Sequence, residues 1–190
     1  ISVGGLPDGI VDTDMLAANA VTTAKSTGER SLGYADQWRV TSSFDGEAHP
    51  ITNWERVDTS SAGTYGTAMS VTSGIFTFPV TGYWLIRFDR LCSLYNAACK
   101  WSQSILYTTT DNFSNPNEIY SADHYPFFAD EGLNHNYKYS GVQYLFDVQD
   151  TSTHKTKFVV NNDGDNANIR TYGDTACNYT YATFIRLGDT

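Results

Sequence analysis

The chain has 190 residues, 14% of them aromatic, with 15 glycines and 5 prolines. That is enough for one domain with a sizeable core plus an extension, in a composition that folds. A formal net charge of −9 argues against nucleic acid and against an anionic membrane surface, since both need clustered Lys and Arg. No apolar run approaches the roughly 20 residues that span a bilayer.

The chain opens on Ile1 rather than Met, which predicts a fragment or a processed product. Residues 1–30 are poor in aromatics and rich in Ala, Thr, Asp and Gly. Asp12-Thr13-Asp14 ahead of MLAANAV can start a short helix capped by Thr13. Such a helix is too short to stand alone in water, so Leu16, Ala17, Ala20, Val21 and Ala24 need a surface to bury against. The bland alternative is a linker. The composition changes at Gly33, where Trp and other aromatics begin. This divides the chain into an attachment or trimerisation segment, 1–33, and a head domain, 34–190.

Strand-like runs then follow one another: Gln37–Phe44, Thr52–Val57, Gly74–Phe78, Tyr83–Leu91, Lys100–Thr109, Tyr139–Val148, Lys155–Val160, Ala167–Tyr172 and Tyr179–Leu187. Turn residues separate them, among them Asp45-Gly46, Asn115-Pro116, Asn161–Gly164 and Gly173-Asp174. Many short strands with regular turn signals predict an all-β sandwich or barrel. No repeat of 20–50 residues is visible, which excludes propellers and long β-helices.

The stretch GIFTFPVTGYWLIRFD, Gly74–Asp89, is the most informative. Phe76 and Phe78 alternate with Thr77, Pro79 ends the run, and Thr81-Gly82 breaks to a second strand. There Trp84, Ile86 and Phe88 share one face, while Tyr83, Leu85 and Arg87 share the other. This strand is apolar on both faces near its start, as is the closing strand with Tyr181 and Ile185 beside Phe184. A sheet with one solvated face does not read that way, so the second face needs another layer or another subunit. Tyr83, Trp84, Leu85, Ile86, Tyr181, Phe184 and Ile185 are therefore the candidate core and subunit-interface residues. A third run sets Val142, Tyr144, Phe146 and Val148 on one face, with Gln143, Asp147 and Gln149 on the other.

Asp111–Lys138 reads as a single long insertion between strands, and a loop of that length in a compact domain is often functional. Its aromatics lie among Asn, Asp and His, a mixture suited to sugars, whose rings stack while their hydroxyls hydrogen-bond. Tyr120, Asp123, His124, Tyr125, Phe127 and His135 are the candidate binding residues. The alternative is that these aromatics pack on the sandwich or on a neighbouring subunit.

Little else carries chemistry. The sequence contains no G-x-S-x-G, H-E-x-x-H or P-loop, and Asp130-Glu131 reads as a solvated pair before it reads as a glycosidase dyad. Asn161–Asn166, NNDGDN, lacks the spaced acids of a calcium loop and is better read as a turn. Cys92 and Cys99 flank a short loop and Cys177 is left over; three buried thiols are the simpler reading, and no C-x-x-C suggests zinc. Neither a metal nor a cofactor is expected, nor an enzyme.

The phenylalanine-rich strand, Pro-x-x-Gly and the aromatic strand after it resemble the heads of complement and tumour-necrosis-factor-like jelly rolls, and YTYATFIRL, Tyr179–Leu187, is similar to their last strand. GLPDGIVDTDMLAANAVTTAK, Gly5–Lys25, resembles segments of phage tail fibres and other virion fibres. The first resemblance implies a jelly-roll-like antiparallel sandwich that assembles as a homotrimer. The second implies a virion protein whose N-terminal segment docks on other virion structural proteins. The two together imply a fibre or tail-fibre tip on the particle surface that adheres to the host, with a host surface glycan as its partner. A capsid decoration or head-fibre protein of the same fold is the first alternative, and a secreted carbohydrate-binding module the second.

Overall fold

In the computed structural model, described residues are 33–94, 101–115, 120–124, 136–163 and 168–190. The expected N-terminal segment and its helix, Cys99, and the second half of the Asn161–Asn166 turn lie outside them, while Asn161 and Asn162 end a strand.

Among the described residues twelve strands follow in chain order: β1 (Tyr34–Val40), β2 (Phe44–Asp45), β3 (Trp54–Arg56), β4 (Ser70–Thr72), β5 (Ile75–Thr77), β6 (Gly82–Leu94), β7 (Ser102–Thr109), β8 (Tyr120–His124), β9 (Asn136–Val148), β10 (Lys155–Asn162), β11 (Ile169–Thr171) and β12 (Tyr181–Gly188). Every pairing among them is antiparallel, and the described residues contain no helix. One sheet has seven strands: β6 pairs along its full length with β9 on one side, and with β12 and then β11 on the other. β1 and β3 continue the sheet beyond β12, and β2 continues it beyond β11. The second sheet runs β4-β5-β10-β7-β8. The two layers form an antiparallel sandwich, one of the two forms that the run of short strands predicts, and its jelly-roll build is what the resemblance implies.

The core lies between the sheets and is built from aromatics. Phe76 of β5 meets Trp38, Trp54, Phe158 and Phe184 with ring centroids 5.1–5.6 Å apart, mostly tilted or edge-on. Phe88 stacks on Phe158 at 4.9 Å. Trp84 sits between Phe78 and Tyr34, at 5.3 and 6.0 Å. Offset and edge-to-face pairs add to the stabilisation from burying these rings, which is about 1.5–3 kcal/mol each.

Charged side chains also lie inside, each held by several partners. Asp36 is buried and accepts from the Trp38 indole Nε1–H, the Met69 amide and the Arg56 guanidinium at 2.9–3.1 Å. Arg39, equally buried, reaches Glu55 at 2.7 Å and Asp58 at 2.8 Å. Arg90 donates between the sheets to Thr171 Oγ1 and Ser102 Oγ. Asp36 and Arg39 are tolerated there because they are paired and hydrogen-bonded, and Arg90 is held by hydroxyl acceptors.

Asp111–Lys138 is not one loop. Tyr120–His124 forms β8 on the edge of the five-stranded sheet, paired with β7, and β9 begins at Asn136. Backbone groups at a sheet edge find hydrogen-bond partners in a ladder that a loop would leave to water. At the turn into β6, Gly82 has φ +131°. A Cβ there would lie 2.3 Å from the Gly188 carbonyl oxygen. Gly82→Ala is expected to cost about 1–3 kcal/mol from the strained backbone alone. Chemical denaturation checks this, and an unchanged midpoint would mean that the turn relaxes.

Candidate subunit interface and recognition surface

Strands β12, β6 and β9 present their inner faces to the core and their outer faces to the surroundings. This separates the seven sequence candidates into two sets. Trp84, Ile86 and Phe184 are fully buried in the core. Tyr83, Leu85, Tyr181 and Ile185 lie on the outer face, where Tyr83 is 41% exposed and the other three are half-buried.

The outer face is layered along the strands. Tyr83 of β6 opens it, opposite Asp147 of β9. Leu85 follows, flanked by Ile185 of β12 and Leu145 of β9. Leu145 is 53% exposed and falls on the face that the alternation assigns to polar residues. Its signal was an apolar residue between Gln143 and Asp147, where the pattern calls for a polar one. Arg87 comes next, between Thr183 and Gln143. Asp89 faces Tyr181 and Gly141, and the last layers bring Leu91 opposite Tyr139 and Ser93 opposite Tyr137. Tyr137 and Tyr139 are both more than half exposed. Four large side chains stand open on this face, Tyr83 and Leu145 at one end of the polar layers and Tyr139 and Tyr137 at the other. Among the described residues β9 has only β6 as a ladder partner, so a 13-residue strand forms the edge of this face. Long edges of that kind are normally covered.

A polar cluster lies in the middle of the face. The Asp89 carboxylate is fully buried and accepts from Arg87 Nε at 2.6 Å and Nη2 at 2.9 Å. The Tyr139 and Tyr181 hydroxyls are 3.3 Å apart beside it. Gly141 leaves a depression of about 250 Å³ next to Arg87 and Gln143. The Tyr139 ring is more than half exposed but its hydroxyl end is turned in, and desolvation there, then the hydrogen bonds with Tyr181 and Asp89, hold the hydroxyl above the ordinary phenol range. The folded pKa is raised, so this contribution to stability is complete below the unfolded value near 10 and is lost as pH rises towards the folded one. The denaturation midpoint is expected to fall on going from about pH 9 to 11, and to fall less in Tyr139→Phe. Equal losses in both proteins would contradict this assignment.

The residues expected to bind a ligand are distributed differently. Tyr120, Asp123 and His124 belong to β8, and the exposed Asp123 accepts from Gln103 Nε2 at 2.7 Å. Tyr125, Phe127 and His135 lie outside the described residues. Phe113, at the start of the same stretch, packs against Ile105, Tyr107 and Val159, with Lys157 Nζ 4.5 Å from its ring centre. This aromatic therefore serves packing.

No protein-family model matches the chain, and no curated protein matches it in sequence. Solved structures do match in fold. Murine APRIL, in crystals at pH 8.5, superposes with a TM-score of 0.55 at 10% identity, covering 81% of this chain and 98% of that one. Eiger TNF from S. frugiperda superposes with a TM-score of 0.59 at 12% identity, covering 82% of this chain and 93% of that one. The fold is thus a tumour-necrosis-factor-like jelly roll, as the strand motifs suggest. At these identities the likeness speaks for the fold alone.

Proposed function

We propose that the chain is the head of a virion fibre, assembling as a homotrimer and adhering to the host surface. The observation that carries assembly is the outer face of β12-β6-β9, where Tyr83, Leu145, Tyr137 and Tyr139 stand open around Leu85 and Ile185. A closed ring of copies buries such a face without leaving an open end. Each large side chain covered adds about 1.5–3 kcal/mol before the costs of association are counted. The jelly-roll fold and the virion-fibre resemblance of Gly5–Lys25 support the same reading. In it, residues 1–33 attach the head to other virion proteins, recognition lies in the Asp111–Lys138 stretch, and the ligand is a host surface glycan. No catalytic role is assigned.

The test is a variant with Tyr125 and Phe127 both changed to Ser. It is expected to keep its oligomeric state and melting temperature while losing binding to host cells. Unchanged binding would place recognition elsewhere. Unfolding would mean that these aromatics belong to the packing.

A further inference from the structure

From the layering of the outer face we infer that the Arg87–Asp89 pair is the register element of the subunit interface. The pair fixes how many copies assemble and at what height they meet, and its partners are the matching layers of the other copies around the ring. The inference rests on the trimeric reading and adds to it the residues that set its specificity.

Three observations carry it. First, the pair is neutral and prebuilt within one subunit. Asp89 is fully buried, while Arg87 lies over it with half its side chain exposed. Gly141 leaves room for the carboxylate, since a Cβ at that position would come within 2.8 Å of Asp89 Oδ1. Second, this neutrality matters in a chain of net charge −9. Copies that would repel elsewhere meet here at a patch whose charges already cancel, and a second copy fits it better than a strongly charged partner would. Third, the charged layer lies between unlike layers. Leu85, Ile185 and Leu145 are on one side, Tyr139 and Tyr137 on the other. Sliding one copy by two residues, about 7 Å, would press the guanidinium against leucines. It would lose water there and gain no acceptor. In the matched register its remaining N–H donors meet the polar depression and the tyrosine hydroxyls of a neighbour. A polar pair inside an otherwise apolar interface acts by such discrimination more than by added affinity.

The experiment compares the full chain with three variants by native mass spectrometry and sedimentation equilibrium, with circular dichroism to establish folding. Arg87→Leu strips the compensation from the buried Asp89 and is expected to weaken assembly at least about 100-fold. Arg87→Lys keeps the charge without the two-pronged contact and is expected to weaken it roughly tenfold. Arg87→Leu with Asp89→Asn removes both charges. It is expected to assemble at least as tightly as the parent, but as a mixture of stoichiometries. A double variant that stays a homogeneous trimer of parental affinity overturns the inference and leaves the trimer standing. If the double variant does not fold, Arg87→Lys decides, and a homogeneous trimer of parental affinity there overturns the inference equally. A parent chain that is monomeric at micromolar concentration removes the trimeric reading itself.

Discussion

Trp84→Ala is expected to cost about 3–5 kcal/mol of folding stability, the range for truncating a large aromatic in a packed core. Trp84 is 1% exposed and lies against Phe78 and Tyr34. Its indole Nε1–H also donates to the Val80 carbonyl at 3.3 Å, which ties the turn before β6 to the core. The neighbouring rings cannot collapse into the vacated space without breaking their own contacts, so most of the cavity should persist. Thermal and denaturant melts check this. A variant melting within a degree or two of the parent would mean that Trp84 is not a core residue.

The second large effect falls on assembly and leaves the fold alone. Leu85→Arg combined with Leu145→Arg places two cations in the apolar layer of the outer face. Both side chains point away from the core, where Trp84, Ile86 and Phe146 are buried, so the monomer should fold normally. In the assembly, two unpaired charges per copy would be stripped of water at a cost of several kcal/mol each. The expected result is a folded monomer at micromolar concentration, with circular dichroism like that of the parent. A variant that keeps the parent's mass would move the interface to another face.

Local chemistry made much of the fold legible in the sequence. β6, β9 and β12 announce themselves through period-two patterning. The two-faced apolar character of Tyr83–Ile86 predicts both the core set and the outer set that the structure separates. Short strands were hidden. β2 has two residues and β4 three, too few to show a period. β8 lies in a stretch whose Asn, His and Asp content resembles a loop, and only its ladder with β7 makes it a strand. The buried polar contacts were also invisible. Asp36 meets the Met69 amide, and Arg90 meets Thr171, so these partners are set by topology and not by spacing. Arg87 and Asp89 do carry a signal in the sequence. Opposite charges two residues apart in an aromatic strand share one face and can pair there. Of the binding candidates, Tyr120, Asp123 and His124 sit on a sheet edge where an exposed loop was expected.

The most direct test of trimeric assembly through the outer face is the mass of the parent protein in solution. Sedimentation equilibrium at micromolar concentration should give a single species of about three times the 21.1 kDa chain mass, stable to dilution over roughly a decade. A clean 21.1 kDa monomer would contradict the account and leave that tyrosine and leucine face to some other partner.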